Sequence, residues 1–372
     1  MMKRRGAVSV RWLSALAIAL VSVLAIAVAG AALSLPGCGN KGAGGSGSAP
    51  GGVDKLSGGG STFINPIMTK WAGAYASEKN VHVDYTASGS GNGIQQMIDK
   101  KNDFGCTDAP MNDAQLEKAK KAGGEVIHVP LVMGGVVPAY NLAEVKEPLR
   151  FTGAVLADIF LGKITKWNDP SLAKINPGVT LPAKEIAVVH RSDGSGTTYI
   201  WSDYLAKVST EWKKKPGVGT DLQWPAGEGF PKNDGVAGHV TRTPGAIGYV
   251  ELIYALRNNI QYGLVQNRSG EFIKASLESV TAAAEGAVSQ IPDDLRYSLT
   301  DAPGKEAYPI CGTTWAVLYA AQPRGKGTAL AAFLEWATHD GQRYTSELQY
   351  ASLPKALVDR VQQKIKLIKE AE

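Results

Sequence analysis

Apolar and polar positions along the chain change period repeatedly between two and 3.6. Val81-His82-Val83-Asp84-Tyr85 alternates residue by residue, which predicts a strand with one buried face. Ile94, Met97 and Ile98 then share one face of a helix predicted over 94–101, after an apolar-periodic helical stretch at 64–76. Phe104 to Thr107 is a short apolar run stopped by Asp108-Ala109-Pro110. Val126 to Val137 is β-branched and bounded by prolines, and Glu185 to His190, Gly245 to Val250 and Thr313 to Tyr319 also read as strands. Helices are predicted over Thr197 to Val208, Leu330 to Trp336 and Leu357 to Ile368. This alternation predicts an α/β architecture. Residues 213–233, rich in Gly, Pro and Lys, read as a surface excursion, and no fixed-period repeat is present.

The first 55 residues follow another pattern. Lys3-Arg4-Arg5 precede an uncharged stretch from Trp12 to Leu35, which reads as an export signal, with a retained membrane helix as the alternative. The stretch ends Leu35-Pro36-Gly37-Cys38. This resembles the lipobox of bacterial lipoproteins and implies cleavage after residue 37 and lipidation of Cys38, although Pro36 departs from the usual pattern. Residues 38–55 are Gly/Ser-rich and form no core, so they read as a tether on a membrane-anchored, exported protein.

Charge excludes one class of partner. Four of the chain's 39 Lys and Arg residues lie in the first 37 positions, leaving 35 against 34 acidic residues. A nearly neutral folded part argues against a nucleic-acid binder. Three cysteines exclude a disulfide-dense scaffold, and the five histidines form no close ligand pair, so no metal or cofactor is expected. Neither Ser90 nor Ser195 lies in the G-x-S-x-G elbow of a hydrolase, because the position two before each serine is not glycine. No catalytic residue is assigned.

Three segments share one design. Gly58 to Phe63, Ser88 to Gly93 and Arg191 to Thr197 each place glycines and hydroxyl residues immediately before a predicted helix. A helix start presents unpaired N–H groups and partial positive charge, glycine admits a close approach, and Ser or Thr adds a donor. Any one such turn alone reads first as an ordinary N-cap; three in one chain are harder to dismiss as caps and suggest an anion site. Arg191 adds a forked cation, which Asp193 is placed to orient. From residue type alone Asp108, ahead of Ala109-Pro110, is more commonly a turn cap; in an anion pocket it becomes the discriminating residue. A carboxylate repels an anion unless the anion carries a proton for it to accept. Monohydrogen phosphate has that proton and sulfate does not, and a required buried hydrogen bond discriminates strongly.

These residues resemble the family of phosphate-binding proteins of bacterial phosphate ABC transporters. The likeness runs from about Gly58 to Pro354 through GGGSTF (58–63), DYTASGSGNGIQQMI (84–98), DFGCTDAP (103–110), RSDGSGTTYIWSDYL (191–205), TPGAIGYVEL (243–252) and YASLP (350–354). The resemblance implies a two-lobed periplasmic-binding-protein-like fold of type II with the ligand in the cleft. Lobe 1 is expected to comprise 56–139 plus 303–372 and lobe 2 140–302, with crossings near Tyr140 and Ala302. It implies that Thr62, Phe63, Ser90 and Asp108 from lobe 1 and Arg191, Ser195, Gly196 and Thr197 from lobe 2 bind inorganic phosphate, with Asp193 behind Arg191. Phe63 and Ser195 are expected to offer backbone N–H groups.

The second turn reads GSGNG, where the family pattern has paired serines and then paired glycines. Cys106 and Cys311 both fall in lobe 1 on this topology, so a disulfide and two buried thiols both stay open. The implied function is a monomeric extracytoplasmic phosphate receptor, with no enzymatic activity, delivering to ABC permease subunits. A receptor for another tetrahedral oxyanion, a secreted phosphatase using Ser90 or Ser195, and a phosphate sensor are the rivals.

Overall fold

The computed structural model describes residues 52–371. The export signal, Cys38 and most of the tether lie outside the described residues.

The first strands and helices alternate as β1 (Lys55–Gly60), α1 (Asn65–Lys79), β2 (His82–Ala87), α2 (Ser90–Ile98), β3 (Phe104–Thr107), α3 (Asp113–Gly123) and β4 (Val126–Tyr140). Helix α1 begins with Pro66 in its first turn, where a missing N–H costs nothing, and ends on Asn80 in the left-handed conformation at φ 56°. It buries Ile67, Met68, Trp71 and Tyr75, a stripe of i, i+4 contacts against the sheet. Helix α2 begins at Ser90, four residues before the expected Ile94, because Gly89 at φ 94° takes the cap position and the Gly-Asn-Gly run enters the first turns.

The chain continues through β5 (Arg150–Phe151), α4 (Gly153–Phe160), α5 (Pro170–Ile175), β6 (Ala187–Arg191), α6 (Gly196–Val208) and α7 (Thr210–Lys214). Next come β7 (Glu228–Phe230), α8 (Lys232–Arg242), β8 (Ala246–Glu251), α9 (Leu252–Arg257), the short strands β9 (Gln261–Tyr262), β10 (Leu264–Gln266) and β11 (Phe272–Ile273), and α10 (Leu277–Ala287). It closes with β12 (Cys311–Tyr319), α11 (Lys326–Thr338) and α12 (Lys355–Ile365). The segment 213–233, expected as an excursion, contains β7 and the first turn of α8.

The main sheet has the order β2-β1-β3-β12-β4-β8-β6-β7, with β9 also paired to β4. Strand β4 joins its two halves. Residues 126–135 pair antiparallel with β12, and residues 136–140 pair antiparallel with β8. The exchange of partners therefore falls between Gly135 and Val136, inside one continuous strand, and Tyr140 is the strand's last residue. Pro130 is tolerated in a central strand because the β4–β12 register shifts there, between Thr314 and Trp315, so no ladder donor is demanded of it. On the return path the chain already lies against the first half at Ile291 and Leu295. The Ile291 carbonyl accepts from Arg360 at 2.8 Å and the Leu295 carbonyl from the Trp315 indole at 2.8 Å.

This is a two-lobed α/β fold in which each lobe wraps helices around half of a shared sheet. The parallel β1–β2–β3 and β6–β7–β8 sets put their carboxyl ends, and the helix starts that follow β1, β2 and β6, at the boundary between the lobes. Crevices at such strand ends are where α/β sheets bind ligands.

Candidate functional site

The turns after β1, β2 and β6 meet across this boundary, with Asp108 from the end of β3 between them. The Gly91 amide donates to the Gly194 carbonyl at 2.9 Å, which ties the second turn to the third. Gly196, the first residue of α6, stands against the opposite lobe. A Cβ built there would lie 2.5 Å from Asp108 Oδ2 and 2.6 Å from Ser90 Oγ. Only glycine permits this approach.

Asp108 is 2% exposed. Ser61 donates its hydroxyl to both carboxyl oxygens, at 2.6 and 2.7 Å, Thr314 donates to Oδ1 at 2.6 Å, and Ser90 reaches Oδ2 at 3.3 Å. Burial pushes the Asp108 carboxyl up to about 6, while the Ser61 and Thr314 hydroxyls, the Arg191 charge and the Ser90 hydroxyl restrain the rise. The site thus holds a desolvated carboxylate that is ionised at neutral pH and available as an acceptor.

Arg191 is 3% exposed and its guanidinium is held by a fork. Nε and Nη2 donate to the two oxygens of Asp193 at 2.7 and 2.6 Å, and Nη1 points towards Thr197 Oγ1 at 3.4 Å. Burial opposes the charge on Asp193, but Arg191 and the Lys232 amide hold its carboxyl below the usual carboxylate range. A buried, bidentate pair of this kind fixes the direction of the remaining N–H groups of Arg191.

The hydroxyls are directed by what they accept. Ser195 Oγ accepts from the Thr198 amide at 3.1 Å as the N-cap of α6. Thr62 Oγ1 accepts from the Asn233 side chain at 2.9 Å, and Thr197 Oγ1 from the same nitrogen at 3.2 Å. Each hydroxyl keeps its proton to donate. The amides of Gly196 and Thr197, at the start of α6, have no intrahelical acceptor and add two more donors.

The structure therefore brings Thr62, Ser90, Asp108, Arg191, Asp193, Ser195, Gly196 and Thr197 together. Two expected donors are engaged otherwise. The Phe63 amide donates to Ser61 Oγ at 3.0 Å, and the Ser195 amide to the Thr220 carbonyl at 2.8 Å. Among the described residues no cluster of three His, Cys, Asp or Glu side chains is placed to hold a metal ion.

Four residues of the site were not anticipated. Asn233, wholly buried at the start of α8, bridges Thr62 and Thr197 and accepts from the Glu251 amide at 3.1 Å. Ser61 and Thr314 support Asp108. Glu251, also wholly buried, accepts from the Ile253 amide at 3.1 Å and lies 3.4 Å from the Tyr350 hydroxyl, and burial pushes its carboxyl well above the ordinary range. One signal existed for Thr314: the pair Thr313-Thr314 inside a strand whose nine residues are all buried.

The disulfide left open for Cys106 and Cys311 does not form: both are buried free thiols. Register explains this. The cross-strand neighbour of Cys106 is Ala316, five positions from Cys311 along β12. At about 3.4 Å per residue that places the two cysteines roughly 17 Å apart along the strand, whereas disulfide Cα atoms lie within about 7 Å. Cys311 instead donates to the Tyr308 carbonyl at 3.2 Å.

Comparison with known proteins places this geometry in context. Residues 45–340 match the family model described as the PBP superfamily domain. The phosphate-binding protein PstS of Xylella fastidiosa strain Temecula1 is 42% identical over 311 residues, covering 83% of this chain and 84% of its own length. That of Pasteurella multocida strain Pm70 is 41% identical over 309 residues, covering 82% of this chain and 88% of its own. Among solved structures, a high-affinity periplasmic phosphate-binding protein, PfluDING, bound with phosphate, shares the fold at a TM-score of 0.67 and 19% identity, covering 83% of this chain and 93% of its own. The chain belongs to the PBP superfamily and, within it, to the PstS phosphate-binding protein family.

Proposed function

We propose that this protein is an extracytoplasmic receptor that captures inorganic phosphate between its lobes and serves an ABC transporter. It is a binding protein, not an enzyme. Phosphate lies at the boundary of the two lobes, held by the hydroxyls of Thr62, Ser90, Ser195 and Thr197, the amides of Gly196 and Thr197, and Arg191 oriented by Asp193. Closure brings donors from both lobes onto one anion, so binding shifts the open–closed population.

The observation that carries this reading is the environment of Asp108. A buried carboxylate facing an anion site is repulsive unless the anion supplies a proton. Monohydrogen phosphate supplies one. Sulfate leaves two acceptors facing each other, and an unsatisfied buried acceptor costs about 1–3 kcal/mol, more when charged.

We assign the finer organisation on the same reading. The strand pairing and the return-path contacts support crossings earlier than Tyr140 and Ala302, with lobe 1 as 56–135 plus about 291–372 and lobe 2 between them. The export signal is 1–37, Cys38 carries the lipid, and residues 38–55 tether a monomeric receptor to the membrane that holds its permease subunits. The partner exchange of β4 at Gly135 and Val136 supports an intra-strand hinge.

Calorimetric titration of the anion-stripped full-length protein with phosphate, and separately with sulfate, tests the reading. Tight one-to-one phosphate binding with little sulfate response is expected. Equal binding of both anions makes the protein a general oxyanion receptor, and binding of neither refutes the proposal.

A further inference from the structure

Asp108 selects by being an acceptor, and a carboxyl buried to this degree tends to take up a proton and become a donor. A neutral Asp108 would donate to sulfate as well as to phosphate. Selectivity therefore depends on whatever keeps the carboxyl ionised.

Arg191 is the facing cation, but its two best donors are spent on Asp193. Cys106 and Tyr85, on β3 and β2, face it as neutral groups whose own ionisation burial suppresses. Glu251 on β8 and Tyr350 lie near enough to interact with its charge, and burial holds both towards their protonated forms. Three hydroxyls remain. That of Ser90 is distant at 3.3 Å. That of Ser61 divides one proton between the two carboxyl oxygens and also serves the Phe63 amide. Thr314 alone gives an undivided short bond, 2.6 Å to Oδ1.

The fold aims Thr314 at this spot. Strands β12 and β3 are antiparallel with Trp315 opposite Thr107, so Thr314 falls opposite Asp108 just past the end of β3. Its neighbours point away, Thr313 to the Tyr297 hydroxyl at 3.0 Å and Trp315 to the Leu295 carbonyl at 2.8 Å. The β4–β12 register shifts beside Thr314, where Leu131 is the extra residue on β4, so the β12 backbone itself runs without an inserted residue past Asp108.

We propose that Thr314 is a positioning residue for anion selectivity: by donating to Asp108 Oδ1 it keeps the carboxyl an acceptor, and leaves Oδ2 to take the proton of monohydrogen phosphate. This rests on the phosphate reading above. Thr314 touches Asp108, and its effect on the anion passes through that carboxyl.

The test is Thr314→Val, which keeps β-branching and volume in the strand and removes only the hydroxyl, with Thr314→Ser as the rescue and Thr314→Ala as a smaller second deletion. Two readouts are taken on the full-length protein. The first is the titration of the Asp108 carboxyl carbon by NMR without anion, assigned against Asp108→Asn. A hydrogen bond to a charged group is worth enough to move that midpoint up by roughly one to two pH units in Thr314→Val and Thr314→Ala, with Ser restoring it. The second is sulfate and phosphate affinity between pH 5 and 8. From a midpoint of about 6, the neutral fraction of Asp108 at pH 7 then rises from about one-tenth to between half and nine-tenths, and sulfate affinity rises roughly five- to ninefold. An unmoved midpoint, with sulfate still excluded in both deletions, overturns the proposal. Failure of the wild-type protein to bind phosphate refutes the phosphate reading instead, and the Asp108 titration still decides the role of Thr314.

Discussion

Asn233 and Thr62 are joined twice across the lobe boundary: the side-chain nitrogen of Asn233 lies 2.9 Å, and its backbone nitrogen 3.4 Å, from Thr62 Oγ1. The same side chain reaches Thr197 at 3.2 Å. By donating to both hydroxyls it obliges both to donate elsewhere, which in a closed lobe boundary means towards the anion. Asn233→Ala is expected to weaken phosphate binding about tenfold or more, since net hydrogen bonds are worth about 1 kcal/mol each and two hydroxyl rotors lose their direction. Its ratio of phosphate to sulfate affinity should stay unchanged, because Asp108 is untouched. Titration of both anions measures the two quantities, and a changed ratio would mean that Asn233 acts through Asp108.

Gly196→Ala separates closure from folding. Position 196 opens helix α6, where alanine is a good helix former, so the ligand-free protein should keep its thermal stability to within about 1 kcal/mol. In the closed arrangement the added methyl would stand 2.5 Å from Asp108 Oδ2, a distance real Cβ atoms essentially never show. Phosphate affinity is expected to fall at least a hundredfold, and X-ray scattering should show no contraction on adding phosphate. Contraction with full affinity would place the anion somewhere other than between Asp108 and α6.

The parts of this molecule written locally are the parts a sequence displays. Strand β3 at Phe104–Thr107 and the starts of α6 and β4 follow from apolar runs stopped by polar or proline residues. The anion turns follow from glycines and hydroxyls placed before helices. What stays hidden is written in the pairing of distant strands. Thr314 lies 206 residues from Asp108 and meets it only through the β3–β12 register. Asn233 sits in a Gly/Lys-rich stretch whose composition says loop, and its burial comes from the β8 backbone behind it. Tyr254 and Tyr350, whose hydroxyls donate to the Thr62 and Phe63 carbonyls at 2.6 Å each, come from sequence positions that carry no anion signature. The state of the two cysteines, left open by the sequence, is decided in the same way, because five residues of strand register separate two thiols that share a lobe.

Arg191→Lys tests the fork. Lysine offers one point charge where Arg191 spends two nitrogens on Asp193 and keeps a third directed beside Thr197. A lysine at this depth pairs with Asp193 and leaves the anion without that donor. Phosphate affinity should fall about tenfold to a hundredfold, equivalent to about 1.5–3 kcal/mol for a hydrogen bond to a charged group. Titration at two ionic strengths checks it. Wild-type affinity in the variant would show that the net charge, not the guanidinium geometry, serves the anion.

The pH dependence has a definite sign. The Asp108 carboxyl is raised by burial from its ordinary value of 3.8 to about 6, so the folded protein binds this proton more tightly than the unfolded chain does. Its contribution to stability is fully present below about pH 4 and is lost as pH rises through about 6, at most about 3 kcal/mol for a shift of that size. Asp108→Asn has no such proton to lose. The melting temperature of the anion-free wild-type protein should therefore carry a component that falls between pH 4 and 6, and the difference curve against Asp108→Asn isolates it from the other carboxylates. Sulfate should bind detectably at pH 5, where a neutral Asp108 donates to it, and lose that binding by pH 8, while phosphate binds at both. A flat difference curve, with sulfate excluded equally at pH 5 and pH 8, would mean that Asp108 stays ionised throughout, and that sulfate is rejected by charge rather than by a missing proton.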